Sequence, residues 1–231
     1  MHWLIIGGGG IGTALARHCL DQGDSVDLLT RHSDITRDGI TVHPLSDWNW
    51  STVYQTVANL EPMPDRLVST CGLLWSDHQQ PEKRLEDLQP DNLEASFRAN
   101  TLAPMAAVKA LSERLGRQST LKALVLTAKV AGISDNHLGG WYAYRATKAA
   151  TNMLVRTTAI EWQRRFPQTA IGAYHPGTTD TSLSSPFQAR VPAQQLKSPE
   201  AAATCLSEVM ARLTPETTGR FWHWDGSELP W

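Results

Sequence analysis

The sequence predicts an α/β fold: one doubly wound, parallel sheet of about seven strands with helices on both faces. Two observations predict it. Short apolar runs of strand length alternate with longer helix-like segments along all 231 residues, as in successive strand–helix–strand units. No repeat, low-complexity tract or linker rich in proline and glycine divides the chain, so residues 1–231 are predicted to form a single domain.

Each element follows from a local pattern. The strands are apolar runs bounded by turn residues, and they are predicted at Trp3–Ile6, Val26–Thr30, Thr41–Leu45, Arg66–Thr70, Leu121–Leu126, Ala170–Tyr174 and Gly219–His223. The predicted helices start near Ile11, Ser51, Asn92, Gly140 and Ser198. The polar stretches 75–90 and 178–197 are long for connections in a compact domain, so we predict loops with a binding role there.

Composition argues against several classes of function. The formal net charge is −2, from 21 basic and 23 acidic residues, so no overall positive field is available to hold nucleic acid. No apolar run approaches the roughly 18 residues of a membrane span, and the first residues lack the basic charge of a secretory signal. Three cysteines without CxxC spacing and eight histidines without HxxxH spacing predict neither disulfides nor a metal site. We expect a cytoplasmic protein.

A glycine-rich turn follows the first strand. Gly7, Gly9 and Gly12 fit the pattern G-x-G-x-x-G, with Ile11 between the last two, and a helix continues beyond it. The three glycines would allow a sharp turn, close approach of a pyrophosphate and close helix–sheet packing, respectively. Free N–H groups at the helix N-terminus attract phosphate. The turn therefore predicts a Rossmann-type dinucleotide site, with an ordinary flexible turn as the alternative.

The end of the second strand distinguishes two cofactors. NAD sites carry an acidic residue there for the ribose hydroxyls, whereas an arginine suits the 2′-phosphate of NADP. This strand ends at Thr30 and Arg31, and Asp27 lies inside it. We therefore predict NADP(H) in preference to NAD(H), with Arg31 as the phosphate anchor. A solvated surface cation is the alternative for Arg31.

A tyrosine and a lysine form the main catalytic candidate. Tyr144 and Lys148 are four residues apart in a predicted helix, so they share one face. Tyrosine, with an ordinary pKa near 10, is a poor acid–base group at neutral pH, and a nearby cation favours its phenolate. The spacing alone is weak evidence, but it follows a glycine turn of the Rossmann type.

These motifs together resemble the short-chain dehydrogenase/reductase family over nearly the whole chain. Segments 135–145 (DNHLGGWYAYR) and 225–231 (DGSELPW) look like the branch that contains the C-factor signalling proteins and the sniffer-type carbonyl reductases. The resemblance implies that Tyr144 donates a proton to a substrate carbonyl while a nicotinamide delivers hydride. It also implies that Lys148 lowers the tyrosine pKa and holds the nicotinamide ribose.

Pro104 points to a third catalytic candidate. Segment 93–115 reads as one helix except for this proline, which has no N–H and clashes with the carbonyl of Asn100, four residues earlier. A kink there would free that carbonyl to bind water, and the resemblance implies a proton relay from Lys148 through water to Asn100. A kinked helix with a surface asparagine is the alternative.

Further candidates follow the ends of later strands. Cys71 and Gly72 come after the fourth strand, where the resemblance implies contacts to the adenosine side of the cofactor. Pro176, Gly177 and Thr179 come after the sixth strand and resemble the family's turn beside the nicotinamide.

The substrate site is predicted to be apolar. Trp141 lies three residues before Tyr144, at helical spacing, and Phe187 lies in segment 182–193, which the resemblance implies is a substrate lid. For Trp141 the alternative is a buried anchor at the start of the helix.

The chain departs from the family at the end of the fifth strand. The family carries a serine there that bonds the substrate oxygen, whereas this chain has Ala128 or Lys129, depending on the alignment. We predict Thr127 as the replacement, with Ser134, Lys129 itself or a water as alternatives. Loss of one such donor costs about 10²–10³ in rate.

Two functions are consistent with these residues. The first is an NADP(H)-dependent carbonyl reductase or alcohol dehydrogenase that acts on a small, rather apolar molecule. The second is an NADP(H)-binding sensor or signalling protein with little turnover, favoured by the C-factor resemblance and the missing serine. The resemblance further implies a homodimer or homotetramer built on helix 141–166 and the helix before it.

Overall fold

Seven parallel strands form one sheet in the computed structural model, which describes residues 1–31 and 38–231. The strands are β1 His2–Ile6, β2 Ser25–Thr30, β3 Ile40–Pro44, β4 Arg66–Ser69, β5 Lys122–Leu126, β6 Ala170–His175 and β7 Phe221–His223. They lie in the order β3-β2-β1-β4-β5-β6-β7. The predicted fold class is confirmed.

Helices cover both faces of this sheet. They are α1 Gly10–Asp21, α2 Trp50–Ala58, α3 Pro90–Phe97, α4 Ala103–Ser112, α5 Tyr142–Arg165 and α6 Pro199–Arg212. Successive side chains of a strand point to opposite faces, so Leu4 and Ile6 of β1 pack in the core with α2, α4 and α5, whereas Trp3 and Ile5 pack with α1 and α6. Within the described ranges, no helix has the length and apolarity that crossing a membrane requires.

The predicted strands are confirmed, and their observed ends differ from the predicted ones by at most two residues. The last strand shows the largest difference, since it begins at Phe221 rather than at Gly219. Gly219 has φ +76°, in the left-handed region that extended strands do not use.

The segment predicted as one kinked helix is instead two helices. Between α3 and α4 lies one turn of π-helix at Arg98–Leu102, called here the π-segment. Pro104 falls in the first turn of α4, where a missing N–H is tolerated. The proline therefore marks the break as predicted, but the helix widens there rather than simply bending.

The strand order reverses between β1 and β4. Ligands of open α/β sheets bind in the crevice outside the carboxyl ends of the strands at such a point. The loops of residues 75–90 and 178–197 follow β4 and β6 from this edge, and both contain short 3₁₀ turns, at Leu85–Asp87, Ser185–Arg190 and Ala193–Gln195.

Candidate active site

A cavity of about 850 Å³ opens at the carboxyl edge of the sheet, where the strand order reverses. Its volume lies in the range of about 300–1,000 Å³ that small-molecule sites occupy. The predicted site residues that line it are Gly7, Gly9, Ile11, Gly12, Arg31, Cys71, Gly72, Thr127, Tyr144, Lys148 and Pro176. The predicted residues outside its lining are Thr30, Asn100, Trp141, Gly177, Thr179 and Phe187.

The glycine turn has the shape that its pattern predicts. Gly7 has φ +108°, and a Cβ there would lie 2.6 Å from Thr70 Oγ1. A Cβ on Gly12 would overlap the carbonyl oxygen of Gly7, so the start of α1 needs glycine to approach the strand. Gly9, the residue before α1, has open space at its Cβ position and provides no side-chain cap. The first N–H groups of α1 are thus available to an anion.

The end of the cavity next to β2 carries the positive charge of Arg31. The Arg31 guanidinium is exposed and lies 5.6 Å from the ring centroid of Trp48, within cation–π range, and both residues line the cavity. The nearest carboxylate along β2, Asp27, is buried and accepts hydrogen bonds from His2 Nε2 at 2.6 Å and His43 Nε2 at 2.7 Å. Asp27 is therefore occupied within the sheet rather than at the strand tip.

Tyr144 and Lys148 lie together at the opposite end. Lys148 Nζ is 5.8 Å from the Tyr144 ring centroid, and it donates to the carbonyls of Leu126 at 2.8 Å and Cys71 at 3.3 Å. Burial lowers the pKa of Lys148 to about 8 and raises the pKa of Tyr144 to about 12. At neutral pH the phenol keeps its proton and the ammonium its charge.

Asn100 is fully buried, so the alternative of a surface asparagine is wrong. Its side-chain oxygen accepts from Leu73 N at 2.7 Å, and its amide nitrogen donates to Leu73 O at 2.9 Å and Thr147 Oγ1 at 3.0 Å. Its main-chain carbonyl, which the sequence predicts to be available to water, accepts from Thr151 Oγ1 at 3.0 Å.

Among the candidates for the missing serine position, Thr127 is the residue that lines the cavity and has a hydroxyl without a hydrogen-bond partner among the described residues. It is buried, and its Oγ1 has no hydrogen-bond partner among the described residues. Ser134 is exposed and lies outside the lining. Lys129 is exposed too, with its Nζ 4.0 Å from Asp135. Ala128 has no polar side-chain atom.

Aromatic side chains stand beside Tyr144. The Trp141 ring contacts Tyr144 edge to face, with centroids 6.1 Å apart, and lies 5.1 Å from the ring of Phe187. The two predicted substrate residues therefore lie next to each other, with Trp141 beside the phenol ring of Tyr144, although neither lines the cavity itself.

Three other predicted cofactor contacts lie beside the cavity. Thr30 and Thr179 are buried, and Thr179 Oγ1 has no hydrogen-bond partner within residues 1–31 and 38–231. Gly177 has φ +74°, and a Cβ there would meet Lys197 Nζ at 2.9 Å, so the turn after β6 requires glycine.

Sequence reasoning missed Glu82, which holds the start of α5. This buried residue accepts from Ala143 N through its carboxylate at 3.3 Å, and its carbonyl accepts from Trp141 N at 2.6 Å. A carboxylate is favourable at a helix N-terminus. No local pattern marks Glu82, because its partners lie about 60 residues further along the chain.

Trp75 was also missed, and it joins the two long loops across the cavity. Its indole Nε1 donates to the carbonyls of Ser182 at 3.1 Å and Leu183 at 3.0 Å, and all three residues line the cavity. The unusual length of both loops was the available signal.

The chain is similar in sequence to several known proteins. A family model described as short chain dehydrogenase matches residues 46–191. The 1-hydroxy-2-glutathionyl-2-methyl-3-butene dehydrogenase of Rhodococcus sp. (strain AD45) is 30% identical over 230 residues, which cover 96% of this chain and 95% of that protein. The C-signal protein of Myxococcus xanthus is 31% identical over 169 residues, 72% of this chain and 92% of that protein.

Solved structures share the fold. The carbonyl reductase Sniffer of D. melanogaster superimposes with a TM-score of 0.82 and 18% identity over 100% of both chains.

Proposed function

Because the chain belongs to the short-chain dehydrogenase family, we propose that it is an NADP(H)-dependent oxidoreductase that interconverts a carbonyl and an alcohol by hydride transfer, with Tyr144 as the proton donor. The observation that carries the proposal is the pair of Tyr144 and Lys148 on one helix face, at a cavity that reaches the glycine turn. A bound nicotinamide supplies or accepts the hydride.

The cavity fits a dinucleotide phosphate in its chemistry. The uncapped first turn of α1 and the open position at Gly9 would hold the pyrophosphate. Arg31 would pair with the 2′-phosphate, and Lys148 would bind the nicotinamide ribose. Backbone groups of Gly72 and the turn at Pro176 would contact the rest of the cofactor, together with Ile11, Cys71, Gly177 and Thr179.

The proposed proton transfer depends on the burial of Tyr144, which keeps its phenol protonated. The Tyr144 phenol is protonated at neutral pH and would donate to the carbonyl oxygen as negative charge develops there. The Lys148 ammonium would stabilise the phenolate that results. The free hydroxyl of Thr127 would donate a second hydrogen bond to the same oxygen, and Trp141 and Phe187 would provide an apolar wall.

The test is NADPH oxidation with a panel of ketones, aldehydes and quinones, for the wild type and Tyr144→Phe. We expect the variant to lower kcat by about 10²–10⁴. The matched control is Tyr142→Phe, two residues earlier on the same helix, whose ring is exposed. Equal activity of the wild type and Tyr144→Phe would reject Tyr144 as the proton donor.

Two observations favour a second function. Ala128 or Lys129, depending on the alignment, stands in place of the serine that the family resemblance implies, and the relative from M. xanthus is named C-signal. The alternative proposal is an NADP(H)-binding sensor or signalling protein with little turnover. Tight NADPH binding in calorimetry, without reduction of any carbonyl in the panel, would favour it.

We also propose a homodimer or homotetramer of single-domain subunits in the cytoplasm. Met153, Leu154 and Ile160 of α5 are 67%, 39% and 46% exposed, and this apolar surface supports association through α5. The free cysteines Cys19 and Cys71 suit a reducing compartment. Light scattering of the purified protein tests the assembly, and cell fractionation tests the location.

A further inference from the structure

The turn that precedes α5 has an unusual backbone. Gly139, Gly140 and Trp141 have φ +65°, +65° and +54°, so three successive residues lie in the left-handed region. That region is rare for a residue as bulky as tryptophan, and such strain persists only where surrounding contacts hold the backbone in place. Trp141 is the cap residue of α5 but provides no side-chain cap. Other groups must therefore hold this turn.

Arg145 holds the carbonyl side of the turn. Its guanidinium donates to Gly140 O from Nε at 3.0 Å and to Gly139 O from Nη2 at 3.2 Å. Helical side chains lean toward the N-terminus, which brings Arg145 back over the turn before its own helix. A cation near the N-terminus of a helix opposes the macrodipole, so helix stability does not explain an arginine here. The bonds to the turn explain it.

The same guanidinium reaches a second segment. Its Nη1 donates to the Val130 carbonyl at 2.9 Å. Val130 belongs to a short 3₁₀ turn, Lys129–Ala131, which follows closely after Thr127. Thr127 continues from the end of β5, where its N–H donates to Tyr174 O at 2.8 Å. A planar fork that binds three carbonyls at once fixes the segment after β5 against the turn before α5.

These two segments carry the two groups that the proposed mechanism directs at one substrate oxygen. Thr127, whose hydroxyl has no hydrogen-bond partner among the described residues, lies at the end of β5. Tyr144 is the residue before Arg145 on α5. Both line the cavity, whereas Arg145 is half-buried and lies outside the lining. Arg145 is therefore bonded to the backbone beside each donor without lining the ligand cavity.

We infer that Arg145 is a positioning residue for the reaction: its three bonds set the Thr127 hydroxyl and the Tyr144 phenol at the separation that lets both donate to one carbonyl oxygen. The catalytic part of this inference rests on the proposed function. The turn also places the Trp141 ring, which contacts the Tyr144 ring edge to face. Loss of the guanidinium would release both segments and leave the glycine turn, where the cofactor would bind, unchanged.

The test is a substitution that keeps the charge. Arg145→Lys retains a cation on a long stem, but an ammonium cannot bind three carbonyls in the geometry of a guanidinium. We expect kcat for carbonyl reduction to fall by about 10- to 100-fold, since a misplacement of catalytic groups by about 1 Å costs this much. The dissociation constant of NADPH should change by less than about threefold, because uniform binding is retained.

The control is Arg156→Lys on the same helix. Arg156 is exposed, and its guanidinium donates to the Gly219 carbonyl at 3.0 Å. Neither of these two residues lines the cavity. The control variant should keep kcat within about twofold of the wild type. Equal losses of kcat in Arg145→Lys and Arg156→Lys would overturn the inference, because they would reflect the loss of any arginine from α5.

A double-mutant cycle separates positioning from a general loss of structure. If Arg145 acts by placing the Thr127 hydroxyl, that hydroxyl contributes less to catalysis once Arg145 is replaced. Thr127→Val should therefore lower kcat by a smaller factor in the Arg145→Lys background than in the wild type. Equal factors in both backgrounds would overturn the inference.

A measurement without catalysis separates this inference from the proposed function. Amide hydrogen exchange of residues 131–141 in the cofactor-free protein should be faster in Arg145→Lys than in the wild type and Arg156→Lys, because the segment loses its anchor. Unchanged exchange would overturn the inference. A wild type that binds NADPH but reduces no carbonyl would instead reject the proposed function, and the exchange result would still decide whether Arg145 fixes the turn.

A pair of variants at another residue keeps the inference testable if Arg145→Lys folds poorly. Gly139 is exposed and has open space at its Cβ position, so a side chain there changes mainly the backbone preference. Asparagine tolerates the left-handed region, whereas valine does not. Gly139→Val should therefore lower kcat at least about fivefold more than Gly139→Asn. Equal kcat in these two variants would overturn the inference, since the turn would then not place the phenol.

Discussion

Under the proposed function, the two ends of the cavity would recognise their ligand groups by different physical means. At the reaction end, Lys148 and Thr127 are 2% and 3% exposed, and burial sets their chemistry. At the proposed adenosine end, Arg31 is exposed and its guanidinium lies over the ring of Trp48. Charges act strongly in a buried site and are screened by solvent at the surface. We therefore expect substitutions at the reaction end to lower the rate and substitutions at the Arg31 end to lower the affinity for NADPH.

The largest effect is expected for the buried ammonium. Lys148→Met should lower kcat/KM for carbonyl reduction by about 10²–10³, because the phenolate that forms on Tyr144 loses its neighbouring cation. Burial lowers the pKa of Lys148 to about 8, so its charge is lost as pH rises through that value. The wild-type profile of kcat/KM should fall above about pH 8 and the variant profile should lack this limb. A limb at the same pH in both proteins would contradict the assignment.

The same shift has a consequence for stability. The folded-state pKa of Lys148 lies below its ordinary value of 10.5, so the unfolded chain binds more protons between about pH 8 and 10.5. The contribution of Lys148 to the free energy of unfolding should increase with pH across this window. Urea titrations of the wild type and Lys148→Met, compared at the two ends of the window, measure it.

A smaller loss of rate is expected at Thr127. Thr127→Val removes the hydroxyl that has no partner among the described residues, and kcat should fall by about 10- to 100-fold while NADPH affinity is retained. Thr127→Ser keeps the donor and serves as the control. Full activity of Thr127→Val would remove Thr127 from the proposed oxyanion contacts and favour a water or Lys129.

At the adenosine end the effect should appear in affinity. Arg31→Ser should weaken NADPH binding by about 10- to 30-fold, the loss of one charge-assisted phosphate contact, and leave NADH binding unchanged. Arg17→Ser, an exposed arginine on α1, is the control. Added salt should weaken NADPH binding more in the wild type than in Arg31→Ser. If Arg31→Ser weakened NADH binding equally, Arg31 would not recognise the 2′-phosphate.

The smallest effect concerns Asp27, which lies in the sheet beneath the adenosine end. Burial by itself would raise the pKa of Asp27, but hydrogen bonds from His43 and His2 outweigh it and lower the pKa below its ordinary 3.8. Asp27 therefore adds stability above pH 3.8, and this contribution is lost as pH falls through the lower folded value. The control is Asp38→Asn, which changes an exposed aspartate and keeps Asp27. As pH falls, the free energy of unfolding of Asp27→Asn should decline less than that of this control.

The sequence predicts what local patterns encode. The glycine turn, the spacing of Tyr144 and Lys148 and the strand lengths are all visible within a few residues, and the structure contains each of them in its predicted place. Pro104 likewise marks the helix break, because a missing N–H is a property of one residue.

Other parts of the site depend on contacts between distant segments. Arg145 bonds to a carbonyl 15 residues earlier, across a loop, and Trp75 bonds to carbonyls more than 100 residues further along the chain. An arginine on a helix is usually exposed to solvent, so its sequence context gives no sign of three carbonyl partners. Such residues become candidates only when the packing of the loops around the site is known.

Through its carboxylate, Glu82 of the 75–90 loop accepts a hydrogen bond from the first turn of α5. In a chimera with a relative, replacing this loop would also remove the cap from the helix that carries Tyr144. Exchanging α5 alone would leave Glu82 facing a foreign first turn. Glu82 and Ala143 are 61 residues apart, but their hydrogen bond couples the two segments. The loop and the helix should therefore be transferred together in any chimera.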